Sequence, residues 1–405
     1  MKNYRRYFII PALLLLITGC EQEGEKTGKA PNEAESVIAQ VREEYAPDSR
    51  VALFDIEAVS ADEKFILKGE SNLKEAVEEL KSDLKEAELS FVDSIRILPD
   101  DAALEGKTQG VIEISVANLR SEPEHSSQLV TQATLGTPVE ILKKDGSWFY
   151  VQTPDNYLAW TDYGGVIPLS DEEFNAWHSS AKLIYLEPFG FSYSEPDAES
   201  QVVSDLVAGN ILELLGLKNG FFEVRYPNGD VAYIEQQEAS PYLDWLNSLE
   251  QSPENFVEIS KTMMGAPYLW GGTSTKGMDC SGFTKTIYFL NGVILPRDAS
   301  QQVHTGVLVD TTKSFDNLLP GDLLFFGRPA TDTTPERIIH VGMWIGDNKF
   351  IHSMGNVHVS TFDTASADFD EYNYNRYLKT KRLIGKEDER LIKLTQSELF
   401  IDKPE

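Results

Sequence analysis

Two stretches of this chain repeat each other, and the repeat restricts the middle of the chain to small β-rich units. Residues 119–161 and 192–234 align without a gap at an offset of 73 residues. The identical pairs are spread along both copies: Ser121/Ser194, Glu122/Glu195, Pro123/Pro196, Gln128/Gln201, Val130/Val203, Gly136/Gly209, Leu142/Leu215, Phe149/Phe222, Val151/Val224, Pro154/Pro227 and Ala159/Ala232. Turn residues interrupt short apolar runs in each copy. The pattern therefore predicts two β-barrels, at 109–168 and 181–238.

The two copies resemble tandem bacterial SH3-like domains, in which motifs such as "LRSEP", a central glycine and "YLAW" recur. Between them, Ser170 is followed three residues later by Glu173, the spacing of a capping box. We therefore predict a linking helix at 171–178.

A separate module is predicted upstream of the repeats, at 35–100. Its apolar spacing indicates helices and strands in the order αββαβ, at 35–45, 50–57, 64–68, 73–85 and 91–97. Asn72 is the expected N-cap of the second helix, with Glu75 as its partner. The module resembles the BON-like domains of some envelope lipoproteins, and it carries no candidate catalytic group.

The N-terminus has the features of an export signal. Basic residues at Lys2, Arg5 and Arg6 precede the apolar run Tyr7–Thr18, which is shorter than the roughly 20 residues of a membrane-spanning helix. The run ends in Ile17-Thr18-Gly19-Cys20, which resembles a bacterial lipobox. We expect a signal peptide at 1–19, lipid on Cys20 and a flexible tether at 20–34; ordinary cleavage that leaves Cys20 unmodified is the alternative.

The charge of the chain argues against nucleic acid as a partner. The 405 residues carry a formal net charge of -29, which would repel phosphate backbones. Loss of the three basic residues in 1–19 lowers this charge to -32.

Lipid chains on Cys20 would anchor the protein in the cell envelope. The periplasmic face of the outer membrane is the expected location, and the cell surface and plasma membrane remain open.

Cys280 is the candidate nucleophile of a C-terminal domain predicted at 250–385. The chain has two cysteines, so lipidation of Cys20 leaves Cys280 as the free thiol. An amphipathic run follows it, with Phe283, Ile287 and Leu290 on one side. Cys280 would then lie in the first helical turn, where we expect the helix dipole to lower its pKa and the free N–H groups to receive an oxyanion. The alternative is a buried, inert thiol.

His340 and His352 are the candidate base and its orienting partner. They are twelve residues apart, on either side of a turn at Gly346-Asp347-Asn348. A two-residue loop would place them on opposite faces of a hairpin. A loop of three or five residues would make them diagonal neighbours on one face, so we predict an odd-length loop. Taken singly, each histidine could instead be structural.

These residues resemble the NlpC family of cell-wall cysteine peptidases over 250–385. The shared motifs occur in family order: "PYLWGG" (267–272), "DCSGF" (279–283), "LPRDASQQ" (295–302), "LPGDLLFF" (319–326), "HVGMWIG" (340–346) and "FIHS" (350–353). The resemblance implies an α+β fold: a papain-like domain preceded by the two barrels and the small αββαβ module. It also implies Cys280 as nucleophile, His340 as base and His352 as its orienter, with no metal or other cofactor.

Family members with SH3-like domains cut γ-D-glutamyl–diaminopimelate bonds of peptidoglycan stem peptides. By that resemblance, Asp279 and Ser281 would bind the free amine of L-Ala, and Tyr268 would lie against the thiol. Tyr157 or Trp160 of the first barrel would wall the pocket. Arg297 would meet the D-Glu carboxylate or form a structural ion pair.

Two other functions are consistent with the sequence. One is an amidase or acyltransferase of the same superfamily, and the other is a non-catalytic lipoprotein that binds cell wall. The expected partners are stem peptides or muropeptides and, through lipid, a membrane. We expect a monomer, with residues 386–405 as a C-terminal tail.

Overall fold

The computed structural model describes residues 33–61 and 64–401. The expected signal peptide, Cys20 and most of the tether lie outside these residues. Within the described part of the chain, no helix is both long and apolar enough to cross a membrane.

The N-terminal module folds in the predicted order. Its elements are α1 (Glu33–Tyr45), β1 (Phe54–Ala61), β2 (Lys64–Ser71), α2 (Lys74–Glu86) and β3 (Phe91–Ile97). Strand β2 is central, antiparallel to β1 and parallel to β3. Both helices bury an apolar face in one core with the sheet: Ala34, Ile38 and Val41 of α1 and Ala76, Val77, Leu80 and Leu84 of α2.

The predicted cap of α2 is wrong. The N-cap is Leu73, which makes no side-chain capping bond. Asn72 instead uses its Oδ1 to accept from the Leu53 backbone N–H at 2.9 Å, and its Nδ2 donates to Gln152 of the first barrel at 3.2 Å. The Asn72 side chain therefore joins two domains and does not form the helix cap that the local pattern predicts.

The first repeat forms a seven-stranded barrel-like sheet. Its strands are β4 (Gln109–Ile112), β5 (Val116–Arg120), β6 (Leu129–Thr134), β7 (Pro138–Asp145), β8 (Trp148–Gln152), β9 (Leu158–Asp162) and β10 (Val166–Leu169). They pair in the order β10-β4-β7-β8-β9-β5-β6. Helix α3 (Asp171–Ser179) follows, and its predicted capping box between Ser170 and Glu173 is confirmed.

The second repeat has the same topology. Its strands are β11 (Lys182–Tyr185), β12 (Gly190–Tyr193), β13 (Val202–Leu206), β14 (Ile211–Lys218), β15 (Phe221–Arg225), β16 (Val231–Glu235) and, after a 3-10 turn at Gln236–Glu238, β17 (Ala239–Pro241). Their order, β17-β11-β14-β15-β16-β12-β13, reproduces that of the first repeat strand for strand. The sheets touch where the Ile211 N–H donates to the Leu135 carbonyl at 2.9 Å.

The C-terminal domain packs helices against a six-stranded sheet. Its elements are α4 (Tyr242–Ser248), α5 (Pro253–Thr262), β18 (Thr273–Ser274), β19 (Gly277–Met278), α6 (Cys280–Leu290), β20 (Val293–Ile294), α7 (Ala299–Gln302), β21 (Val307–Asp310), β22 (Leu323–Arg328), β23 (Arg337–Gly346), β24 (Lys349–Met354), β25 (Asn356–Thr361), α8 (Glu371–Arg376), β26 (Tyr377–Arg382) and β27 (Ile392–Lys393).

This sheet has the antiparallel order β21-β26-β22-β23-β24-β25. Phe283 and Ile287 of α6 share a buried core with Val341 and Met343 of β23. The first turn of α6 is thereby held beside the strand that carries His340.

The described part of the C-terminal segment packs onto the domain. Strand β27 pairs with β20, with Val293 opposite Lys393. Leu394 and Phe400 are buried in one cluster with Trp245 of α4. The expected tail therefore closes the junction between the second barrel and the C-terminal domain.

Candidate active site

Cys280 is the first residue of α6, as the sequence predicts. Asp279 is the N-cap, and its carboxylate accepts from the Gly282 N–H at 2.8 Å. Small residues are needed here, because a Cβ on Gly282 would lie 2.0 Å from the Gly272 carbonyl oxygen. Although largely buried, Cys280 lines a cavity of about 610 Å³.

The expected lowering of the thiol pKa is wrong. Burial and the adjoining Asp279 carboxylate raise the pKa of Cys280 to about 12. Hydrogen bonds from the Val341 and Ser281 backbone and the charge of Arg297 oppose this shift without overcoming it. The cost of burying a thiolate outweighs the helix dipole, so the free protein holds a neutral thiol.

The two histidines lie on one face of the hairpin, as predicted. His340 Nε2 and His352 Nδ1 are 2.8 Å apart, and His352 Nε2 lies 3.1 Å from Ser360 Oγ. If each Nε2 carries the proton, both contacts are hydrogen bonds, and His340 Nδ1 is left free to accept a proton.

The predicted loop length is wrong. The turn has two residues, Asp347 and Asn348, both with positive φ, closed by pairing of Gly346 with Lys349. A bulge between Trp344 and Gly346 supplies the extra residue that restores the shared face. The odd residue that brings both histidines to one face therefore lies in the strand and not in the loop.

Burial keeps both imidazoles uncharged. Desolvation, followed by the charge of His352, holds the pKa of His340 well below its usual range. Desolvation, followed by the charge of His358, lowers the pKa of His352 to about 3. His358 lies opposite His352 on β25, with ring centroids 4.5 Å apart. A neutral His340 is the form in which a general base can accept a proton.

Asp279 and Arg297 form a buried ion pair beside the thiol. Arg297 is 1% exposed and donates to both carboxylate oxygens of Asp279, at 2.6 and 3.1 Å, and to Ser281 Oγ at 3.0 Å. Its Nε donates to Thr131 Oγ1 of the first barrel at 3.0 Å. Of the two interpretations of Arg297, the structure shows the ion pair.

The remaining predicted residues divide between the cavity and the barrel. Tyr268, Tyr157, Asp279 and Ser281 line the cavity with Cys280. Trp160 does not: its ring packs inside the first barrel, with its centroid 5.0 Å from that of Tyr150. Of the two barrel aromatics, only Tyr157 is placed to contact a ligand.

The cavity residues that were not predicted include Arg50, Trp270 and Asp298. Trp270 stands on the rim and is 62% exposed. Trp270 and Asp298 fall inside recognised motifs and could have been found from them. Arg50 lies in the N-terminal module, some 230 residues before the thiol, and no pattern in the sequence points to it.

Among the described residues there is no group of three or more His, Cys, Asp or Glu placed to hold a metal ion. The geometry places a thiol at a helix N-terminus and a neutral imidazole pair that includes His340, the residue before Val341, whose backbone bonds to that thiol. This is the arrangement of a cysteine hydrolase that works through a thioester.

Comparison with known proteins agrees with this class. The model of the NlpC/P60 family matches residues 265–379, and that of the bacterial SH3 domain matches 115–166. The γ-D-glutamyl-L-lysine dipeptidyl-peptidase of Bacillus cereus is 30% identical over 243 residues, which cover 56% of this chain and 68% of the relative. Dipeptidyl-peptidase 6 of Lysinibacillus sphaericus is 29% identical over 262 residues, which cover 62% and 91%.

A crystal structure of an NlpC/P60 family protein from Bacillus cereus superposes with a TM-score of 0.57 at 25% identity. It covers 68% of this chain and 99% of that one. The chain belongs to the NlpC/P60 family, and its α+β fold combines that domain with a bacterial SH3 domain and a second barrel of the same topology. Neither family model reaches the N-terminal module.

Proposed function

We propose that this protein is a cysteine endopeptidase that hydrolyses the γ-D-glutamyl–diaminopimelate bond of peptidoglycan stem peptides. The observation that carries the proposal is the hydrogen-bonded His340–His352 pair, because His340 precedes Val341, whose backbone bonds to the Cys280 thiol. Cys280 in turn lines the cavity. Two relatives are named as dipeptidyl-peptidases, one of them for γ-D-glutamyl-L-lysine. The name of the Bacillus cereus relative supports cleavage after a γ-D-glutamyl residue. That the next residue of the stem peptide is diaminopimelate is our proposal.

The chemistry would be acyl transfer through a thioester. His340 Nδ1 takes the proton of the Cys280 thiol as Sγ attacks the γ-glutamyl carbonyl carbon. The first N–H groups of α6 stabilise the oxyanion. The imidazolium then protonates the leaving amine as the C–N bond breaks. Water, activated by His340, hydrolyses the thioester and releases L-Ala-γ-D-Glu, which regenerates the thiol.

We further propose that the enzyme requires a free N-terminal L-Ala. The cavity wall next to the thiol carries Asp279 and Asp298, with Tyr157 between the first barrel and the cleft. Both carboxylates are paired, Asp279 with Arg297 and Asp298 with Arg50. The Asp298 side chain is 27% exposed against 11% for Asp279, so Asp298 is the more accessible carboxylate for an ammonium group. Acetylation of the L-Ala amine removes its charge and should lower kcat/KM by about 100-fold, a loss of the size expected for a charge-assisted hydrogen bond.

The test is cleavage of L-Ala-γ-D-Glu-diaminopimelate by the purified protein, with products identified by mass spectrometry. Cys280→Ala and His340→Ala should each lower kcat by about 10³-fold or more, as for other nucleophile–base pairs. His125→Ala is the matched control, because His125 is exposed on the first barrel. Full activity of the Cys280→Ala protein would refute the mechanism.

The same assay separates the alternatives. Turnover of an amidated or acylated substrate without peptide cleavage would indicate an amidase or acyltransferase. Binding of wall fragments without any turnover would indicate a non-catalytic wall-binding lipoprotein.

We also propose that lipid on Cys20 anchors the protein in the cell envelope. The support is the basic, apolar and lipobox-like order of residues 1–20. Cys20→Ser should move the protein from the membrane fraction to the soluble fraction and abolish labelling with a radioactive fatty acid. Unchanged labelling would disprove the anchor.

A further inference from the structure

We propose that Arg50 of the N-terminal module closes the amine end of the catalytic cavity and thereby sets the length of peptide the enzyme accepts. The inference rests on the proposed function and extends it to a part of the chain that neither family model matches.

Arg50 is held in place by the first barrel. Its backbone carbonyl accepts from the Leu158 N–H at 2.8 Å, and the next carbonyl, that of Val51, accepts from Gln152 Nε2 at 3.0 Å. The loop that carries Arg50 is therefore fixed relative to the wall that carries Tyr157, and the guanidinium lines the same cavity as Cys280.

The guanidinium bridges two carboxylates from different domains. Its Nη1 donates to Asp298 Oδ2 at 2.6 Å and to Ser300 Oγ at 3.0 Å. Its Nε and Nη2 donate to the Asp48 carboxylate at 2.8 and 2.7 Å. Tyr157 OH donates to the same Asp298 oxygen at 3.2 Å. Because Asp48, Asp298 and Ser300 all accept from its planar guanidinium, the Arg50 side chain is held in one position. We call this bridge between the two domains the strut.

A second cavity of about 520 Å³ lies on the far side of this strut. Asp48 and Gln301 line the second cavity, Arg50 and Asp298 line the first, and His304 lines both. Gln301 Nε2 donates to Asp48 at 2.9 Å and continues the partition. Without the Arg50 side chain, the cleft would run on from one cavity into the other.

The carboxylates around Arg50 add a preference by charge. Asp48 and Asp298 together exceed the single positive charge of Arg50, and Asp298 lines the catalytic cavity, so this end favours an ammonium group although Arg50 itself is positive. A stem peptide whose L-Ala amine is acylated, as it is when linked to a lactyl group, offers no charge there and is too long for the closed end. The enzyme should therefore cleave released peptides with a higher kcat/KM than stem peptides that are still attached to glycan.

The experiment compares kcat/KM for L-Ala-γ-D-Glu-diaminopimelate and its N-lactyl form. Wild type should prefer the free peptide by about 100-fold, the loss expected for one charge-assisted contact. Arg50→Ala should narrow that preference at least 10-fold, mainly by gaining activity on the N-lactyl peptide. Arg50→Lys keeps the charge and should keep most of the preference.

Arg96→Ala is the matched control. It removes an arginine of the same module that pairs with Glu70 away from the cavity, and it should leave the preference at the wild-type value. If Arg50→Ala does not fold, Arg50→Gln retains hydrogen-bonding capacity and should narrow the preference in the same direction.

The outcomes are distinct. If wild type discriminates and the folded Arg50 variants discriminate equally, Arg50 does not set the length and this inference is overturned, while the proposed function stands. If wild type cleaves neither peptide, the proposed function and the inference both fail.

Discussion

Cys280, His340 and His352 are buried, and burial favours the uncharged form of each side chain. The thiol and the two imidazoles therefore become charged only when a substrate is attacked. A thiol proton that moves to His340 at that moment creates an ion pair which the oxyanion contacts must stabilise. The resting protein is protected from the side reactions of a free thiolate.

The neutral thiol gives a prediction for alkylation. Because the pKa of Cys280 is raised to about 12, the thiolate fraction should increase tenfold per pH unit between pH 7 and pH 10 without levelling off. Iodoacetamide labelling in a Cys20→Ser background measures this directly. The urea-unfolded protein is the control, and its rate should level off above about pH 8.5–9. A plateau already present at pH 5–7 in the folded protein would show a thiolate–imidazolium pair instead.

Arg297 gives a prediction for stability. Arg297→Ala leaves the Asp279 carboxylate buried without its cation, which should cost about 3–5 kcal/mol. Arg390→Ala is the control in the same domain: Arg390 is half-exposed and pairs with Asp388, so its loss should cost no more than about 1 kcal/mol. Denaturant unfolding followed by Trp fluorescence compares the two. Equal losses would mean that the Asp279 charge is not buried.

At the scale of secondary-structure elements, the sequence patterns correctly predicted features that depend on contacts between residues close together in the chain. The Ser170 cap and the start of α6 at Cys280 follow from residues close together in sequence. The patterns failed at two places for different reasons. Asn72 bonds to the distant Gln152 instead of capping α2. The loop length was wrong for a local reason, since a bulge before Gly346 takes the place of an odd-length loop.

The start of α6 gives a prediction at this scale. Gly282→Ala places a Cβ 2.0 Å from the Gly272 carbonyl oxygen, so the helix or the Gly272 loop must move. We expect a loss of about 1–3 kcal/mol, typical of overpacking, and a lower kcat because Cys280 is displaced. Gly216→Ala on β14 is the control, since no atom lies within 4 Å of its added Cβ. Thermal unfolding and peptide cleavage test both variants, and equal behaviour would contradict the close contact.

At the scale of the whole molecule, the cleft belongs to three domains. Thr131 and Gln132 of the first barrel bond to Arg297 and Thr273 of the C-terminal domain, each at 3.0 Å. Arg50 adds the N-terminal module. The sequence identified each domain through its own pattern. The hydrogen bonds that join the domains at the cleft link residues 141 to 248 positions apart, and no periodicity or motif encodes them.

The net charge of -29 predicts how salt affects this assembly. Repulsion among surface carboxylates destabilises the compact state, and it acts over longer distances than the ion pairs that hold the domains together. Screening by salt therefore weakens the repulsion more than it weakens the ion pairs.

Raising NaCl from 10 to 300 mM at pH 7.5 should increase Tm by roughly 2–4 °C, the shift expected for about 1 kcal/mol in a protein of at least 150–250 residues. The increase should shrink as the pH approaches the isoelectric point of about 4.6, where the net charge vanishes. A Tm that falls with salt at pH 7.5 would instead show that ion pairs such as Arg50–Asp298 dominate the electrostatic free energy of folding.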